Sequence, residues 1–538
     1  MKNIIKKYKI VIICVCACFI VSCSDFLEME LTDSYSNDTY WTIASHATEG
    51  INACYRALNS ADLFGSDQAP IFYMECLTPN AFHKDNAYNI MTYALGAHTG
   101  TTQGLNLITW RACYTGIGRC NNVIDNVPGI QMDENLKSRI IGEAKFLRAY
   151  FYWRLSVMFG GVPLVLSSPN NITEANALGS LPRATLEATV TQIITDLDDA
   201  IASTLAVRYP RGNANNGRAS KGAALALKAK VLLQNHNYPG AVQACEAFFA
   251  ANETITTAAD RYGLYPDYNG LFRRANMGNI EVIFDVRWLY PTYTANYDVT
   301  HRQYQTQTPV QGLIDAYQSK NGKSIFDPTN DMYDPEDPFE NRDPRLWESI
   351  MWIGRPWLGG TALSTQFFTT GYIFTKYCES IKPSVIASGT PDVDTTCPYI
   401  ILRYADVLMM YAEALNETLS SPNQAVYDAV NAVRGRTGIE MPPLPEGLTK
   451  AQMTEAIRLE RRIEFAGESY YYEDIRRWGI AQDVMNDAYV YRGNFGGVLD
   501  GGAIGGQRKF RADRDYLLPI PYTQIDLNPA LVQNDNYN

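Results

Sequence analysis

The sequence predicts a mainly α-helical protein, a scaffold of paired helices carrying an irregular, loop-rich subdomain between two helical blocks. Three observations predict it. Residues 139–163 (RIIGEAKFLRAYFYWRLSVMFGGVP) are apolar over most of a helix circumference. Residues 219–251 and 402–437 each read as two short helices with small residues at packing offsets. From about 252 to 400, proline, glycine and aromatic residues replace helical periodicity. With 538 residues, 46% hydrophobic and 19% charged, the chain has a globular composition and the length for a large core.

Taken in order, residues 1–22 read as a signal peptide. Lys2, Lys6, Lys7 and Lys9 precede the apolar run Ile10–Ile20, and Ile20-Val21-Ser22-Cys23 has the form of a bacterial lipobox. That run is too short to span a bilayer, so lipidation at Cys23 is the expected anchor, with 23–44 as anchor and tether and 45–538 as a single domain. Its helical blocks run over about 45–251 and 402–485, and the aromatic-rich insertion over about 252–400. Helical patterns cover 45–59 and 105–127, and the stretch 61–104 between them is irregular.

In the central helix, Ile140, Ala144, Leu147, Phe151, Leu155 and Met158 form one apolar stripe. Phe146, Tyr150, Trp153 and Val157 widen it, leaving Lys145, Arg148, Tyr152 and Ser156 for a wetter face. Gly160-Gly161 ends it and Pro163 forbids continuation. Residues 185–203 form a helix capped by Thr185. The phrase NYPGAVQACEAF in 219–251 resembles the second helix of a tetratricopeptide repeat (TPR), without a strict 34-residue period. EVIFDVRW (281–288) reads as a strand, and 449–466 and 470–485 as the last helices.

Composition and motifs exclude several classes of function. The formal charge is −11, and removal of residues 1–22 leaves 42 basic against 57 acidic residues, −15, which argues against nucleic acid as a partner. Seven cysteines remain after the signal and Cys23, without a CxxC pair, so neither a zinc framework nor a disulfide scaffold is expected. Cys113 and Cys120 lie two helical turns apart, about 10 Å, too far for a bridge. There is no HExxH or GxSxG, and Gly322-Lys323-Ser324 lacks the first phosphate-loop glycine because Tyr317 stands there. The acidic run 327–343 reads as Asp-Pro turn chemistry. Asp331, Asp334, Glu336 and Asp337 offer hard oxygen ligands for a structural calcium, without EF-hand spacing. No cofactor and no catalytic residue is expected. Glu455, Arg458, Glu460, Arg461, Arg462 and Glu464 read as a salt-bridged structural helix.

The aromatic distribution stands out. WLYPTYTANY supplies Trp288, Tyr290, Tyr293 and Tyr297, the stretch 347–357 supplies Trp352 and Trp357, and the 82–93 segment supplies Tyr88 and Tyr93. Flat rings on loops stack on the C–H faces of sugar rings while nearby Asn, Asp and Arg bind hydroxyls, so these eight are the candidate ligand-binding residues. A shallow stacking site for a neutral sugar predicts weak binding that resists moderate salt.

EAKFLRAYFYWRLSVMFGGVPLV resembles the signature helix of the SusD/RagB family, the outer-membrane nutrient-binding lipoproteins. NRDPRLW (341–347), RYADVLMMYAEALNE (403–417), AIRLERRIEFAGESYYYEDIRRWG (456–479) and LLPIPYTQIDLNPALVQNDNY (517–537) look like further family blocks in family order. The resemblance implies a SusD-like helical scaffold of four TPR-like pairs with a variable aromatic-rich ligand-binding subdomain. It also implies a non-enzymatic, surface-exposed, lipid-anchored outer-membrane protein. Such a protein would capture oligosaccharide and deliver it to a SusC-like TonB-dependent transporter. The competing readings are a peptide-binding protein of the same architecture and a lipid-anchored glycoside hydrolase.

Overall fold

The computed structural model describes residues 40–65, 69–289, 292–295, 297, 301, 307–357, 360–361, 369–378, 396–486 and 508–537. Cys23, the signal segment, the tether up to residue 39 and Tyr290 lie outside them. The body is a ladder of helices. In chain order these are α1 (Ala44–Leu58), α2 (Leu105–Asn126), α3 (Glu134–Phe159), α4 (Leu186–Ala202), α5 (Lys221–Gln234), α6 (Tyr238–Glu253), α7 (Tyr404–Thr418), α8 (Gln424–Arg434), α9 (Lys450–Glu464) and α10 (Tyr471–Arg477). Each of α1 to α7 packs on its successor, and α9 packs on α7 and α8. This is the stacking of TPR-like pairs that the small-residue offsets predict.

The helices begin where the sequence offers a side-chain cap. Asp133, Thr185, Ser220, Asn237 and Asn423 each accept the backbone N–H three residues on, and Thr449 forms a capping box with Gln452. Gly160 ends α3 at φ +75°. The 470–485 segment is not one helix. It breaks after α10 at Gly479 (φ +69°) and resumes as Ala481–Met485.

Both apolar rows of α3 are buried, as read from sequence. The expected wetter face is buried as well, except for Lys145. Arg148 donates from Nε and Nη2 to the two carboxylate oxygens of Asp196 on α4 at 2.8 and 2.7 Å, and Tyr152 Oη donates to Val165 O at 2.9 Å. Paired charge and a bonded hydroxyl let polar residues occupy interior positions that periodicity alone assigns to water.

The irregular segment is tied down at both ends. Strand β1 (Ala81–Phe82) pairs with β3 (Thr308–Pro309), and β4 (Ile350–Trp352) pairs with β5 (Tyr372–Phe374). Strand β2 (Val282–Val286) pairs antiparallel with β6 (Tyr399–Arg403), so the two flanks of the insertion meet. All five residues of β2 are buried. Behind this pair lies a buried ionic network. Arg403 contacts Glu281, Glu464 and Glu468 at 2.7–2.8 Å, Arg436 contacts Glu281 and Glu464, and Arg345 contacts Asp343, Glu460 and Glu464. The charged stretch 455–464 is therefore structural. Burial alone would raise the Glu464 carboxyl, but Arg436, Arg403, Arg345 and Lys376 outweigh it and hold it near pKa about 2.

Candidate functional site

Two recesses adjoin where α1, α2 and the end of β2 meet. One, of about 570 Å³, lies between α1, the 214–218 loop and residues 285–287. The other, of about 740 Å³, lies between α1 and α2. Arg56, Asn59 and Tyr293 line both and form the ridge between them.

Helical phase brings the side chains together. Glu49, Asn52 and Arg56 share one face of α1, and Arg111, Thr115 and Arg119 at spacings of four share one face of α2. Tyr293 is set by a backbone bridge, Leu289 N to Tyr293 O at 2.7 Å and Tyr293 N to Leu289 O at 2.8 Å. Asn59 Nδ2 donates to Arg287 O at 2.9 Å and joins α1 to the segment leading to that bridge. Gly217 lies at φ +97°, a backbone conformation that residues with a Cβ rarely adopt.

The electrostatics sort the groove's arginines into two kinds. Arg287 Nε binds both oxygens of Asp285 at 2.9 and 3.0 Å, and Arg218 binds Glu143 at 2.8 Å and Asn52 at 2.5 Å. Burial raises the carboxyl pKa of both Asp285 and Glu143, with their arginines pulling the other way. Arg111 meets Asp62 at 3.0 Å in a largely solvated pair. Arg119 donates to the Ala53 carbonyl at 3.0 Å and has no carboxylate partner among the described residues. Arg56 lies over the Tyr293 ring, 5.1 Å from its centroid, with no ion pair among the described residues. Each carboxylate here is already engaged, Glu49 by the Tyr40 hydroxyl at 2.9 Å.

Of the eight aromatic candidates, the structure brings Tyr293 to this groove. It sets Trp288, Tyr297, Trp352 and Tyr93 in the interior instead of on exposed loops. Tyr297 donates to Phe64 O at 2.8 Å and Tyr93 to Asn106 Oδ1 at 2.9 Å, so each buried hydroxyl has a partner. Trp288 packs edge-on against Tyr297, and Trp352 stacks on Phe339 at 4.1 Å with Arg355 over its ring. Tyr88 is half-buried against Tyr73. Trp357 is placed by its backbone in a short pairing with Gly360. Tyr290 lies outside the described residues. The sequence reading passed over Arg56, Arg111 and Arg119, although the i, i+4 spacing on α2 marks one helix face. In the acidic run, Asp327 accepts from the Thr329 backbone and hydroxyl and Asp334 from Glu336 N, as turn residues do.

Two family profiles match the chain, one described as SusD family over residues 283–537 and one as "Starch-binding associating with outer membrane" over 25–233. SusD-like protein P25 of Formosa agariphila is 24% identical over 560 residues, covering 97% of both chains. SusD-like protein P2 of the same organism is 26% identical over 542 residues, covering 99% of this chain and 98% of that one. Among solved structures, a SusD-like carbohydrate binding protein of Bacteroides fragilis superposes with a TM-score of 0.78 at 27% identity, over 92% of this chain and 100% of that one.

Proposed function

Because this chain belongs to the SusD/RagB family, we propose that it is a surface-exposed, non-enzymatic lipoprotein of the outer membrane. Anchored through Cys23, it captures an oligosaccharide and hands it to a SusC-like TonB-dependent transporter. The observation that carries the binding reading is the groove itself. The Tyr293 ring stands between two recesses, flanked by the amides of Asn52, Asn59 and Asn216 and by guanidinium groups, the mix of one apolar face and several hydrogen-bonding groups that a sugar requires. Carbohydrate binding by the B. fragilis relative and the starch-binding description of the matched profile support the same ligand class. Engagement of Glu49, Asp62 and Asp285 by neighbouring groups favours holding a ligand over acid–base chemistry.

The test is calorimetric titration of the full chain with a panel of oligosaccharides. Tyr293→Ala is expected to weaken binding about tenfold, the loss of one ring contact with its burial, with an unchanged melting temperature. Full affinity in that variant would place the sugar elsewhere, and retention of no carbohydrate would end the reading.

A further inference from the structure

The larger recess carries more positive charge than its setting predicts. The whole chain is −11, and −15 without its signal. Yet Arg56, Arg111 and Arg119 line this one cavity against a single carboxylate, Asp62. Asp62 is taken by Arg111. Arg56 and Arg119 therefore keep their charge uncompensated by any carboxylate among the described residues, although both line one space of about 740 Å³. Cationic side chains gathered on one recess raise its positive potential and favour a negatively charged occupant. A neutral sugar needs hydroxyl-bonding groups, which the asparagines beside Tyr293 already supply.

From this geometry we infer that the groove selects an acidic oligosaccharide, one bearing carboxylate or sulfate groups. This inference rests on the glycan-binding reading above and refines it. The sugar ring lies on Tyr293, while its anionic substituent enters the recess between α1 and α2. There Arg56 and Arg119 offer the planar donor forks that match carboxylate or sulfate oxygens. Arg218 and Arg287, each locked to a carboxylate, shape the neighbouring recess and leave its charge balanced. The net negative charge of the chain as a whole disfavours acidic polymers in general, so capture requires the groove. This departs from the salt-resistant binding that the aromatic clusters alone predict.

Affinity measurements on the full chain test it. The probes are oligogalacturonides and sulfated carrageenan oligosaccharides, each beside its carboxyl-reduced or desulfated counterpart, with laminarin and maltoheptaose as neutral sugars. The expected result is binding confined to the acidic members. Their affinity should fall at least about tenfold as NaCl rises from about 50 to about 500 mM, because screening shortens the reach of the arginines. Arg56→Gln should lose about tenfold of that affinity, the scale of one charge-assisted contact, without a change in melting temperature. Arg119→Lys, which keeps the charge but not the fork, should lose less. Salt-insensitive binding of neutral sugars, with the acidic probes ignored, would overturn the charge assignment and leave glycan capture standing. Binding of acidic probes at full strength by Arg56→Gln and Arg119→Lys alike would also overturn it. Retention of no carbohydrate of either kind would remove both readings.

Discussion

Glu75 and His83, eight residues apart in the chain, are both buried and shift in opposite senses. Burial pushes the Glu75 carboxyl up to about 7, although Asn80 and the Ser469 N–H bind it at 2.7 and 2.9 Å. Burial lowers His83 to about 4, and its Nδ1 accepts the Asp85 N–H at 3.1 Å, a bond that protonation would break. Between pH 4.5 and 7 the folded protein holds a proton on Glu75 that the unfolded chain releases, so this group's contribution to stability falls as pH rises. Between pH 4 and 6.5 the unfolded chain protonates His83 while the folded protein does not, so this contribution is lost as pH falls. The stability of Glu75→Gln relative to the parent should therefore climb with pH through 4.5–7, by at most about 1.4 kcal/mol per unit. That of His83→Gln should decline through 4–6.5. Denaturant unfolding across this range checks both, and parallel curves for parent and variants would mean that neither group is shifted.

At the scale of elements, α3 shows how much one helix declares in advance. Its apolar rows lie within one stretch of sequence, so periodicity reveals them, and the fully buried Leu147 should lose about 2–5 kcal/mol on truncation to alanine. The polar residues of α3 escaped the same reasoning because Asp196, the partner that buries Arg148, belongs to another helix. The ionic network is a larger case. Glu460 and Glu464 declare themselves on α9, but Glu281 just before β2, Arg403 at the end of β6 and Arg436 just after α8 join them only in the tertiary fold. Arg403→Met would leave Glu281, Glu464 and Glu468 short of a shared cation. The expected loss is about 3–5 kcal/mol, measured by chemical denaturation, and a loss under about 1 kcal/mol would mean that water already screens these charges. The groove divides in the same way. Tyr293 was visible in an aromatic cluster, while Arg56 and Arg119 are ordinary surface arginines until α1 and α2 are packed.

At the scale of the whole molecule, the question is what keeps this body at a membrane. Among the described residues no helix is long and apolar enough to cross one. A net charge of −15 without the signal opposes adsorption to anionic headgroups. Association through the proposed transporter would need that partner to be present. The lipobox ending at Cys23 remains the proposed anchor, since acyl chains supply about 0.8 kcal/mol for each buried methylene regardless of protein charge. Its removal should leave the helix ladder intact, because Cys23 precedes the described body and the ladder's caps and core lie after residue 40. Cys23→Ala behind a cleavable secretory signal, made in cells lacking the transporter, is therefore expected to fold with an unchanged melting temperature and to leave the membrane fraction. If that protein still sediments with membranes after a salt wash, a surface of the body itself holds the lipid and the anchor assignment falls.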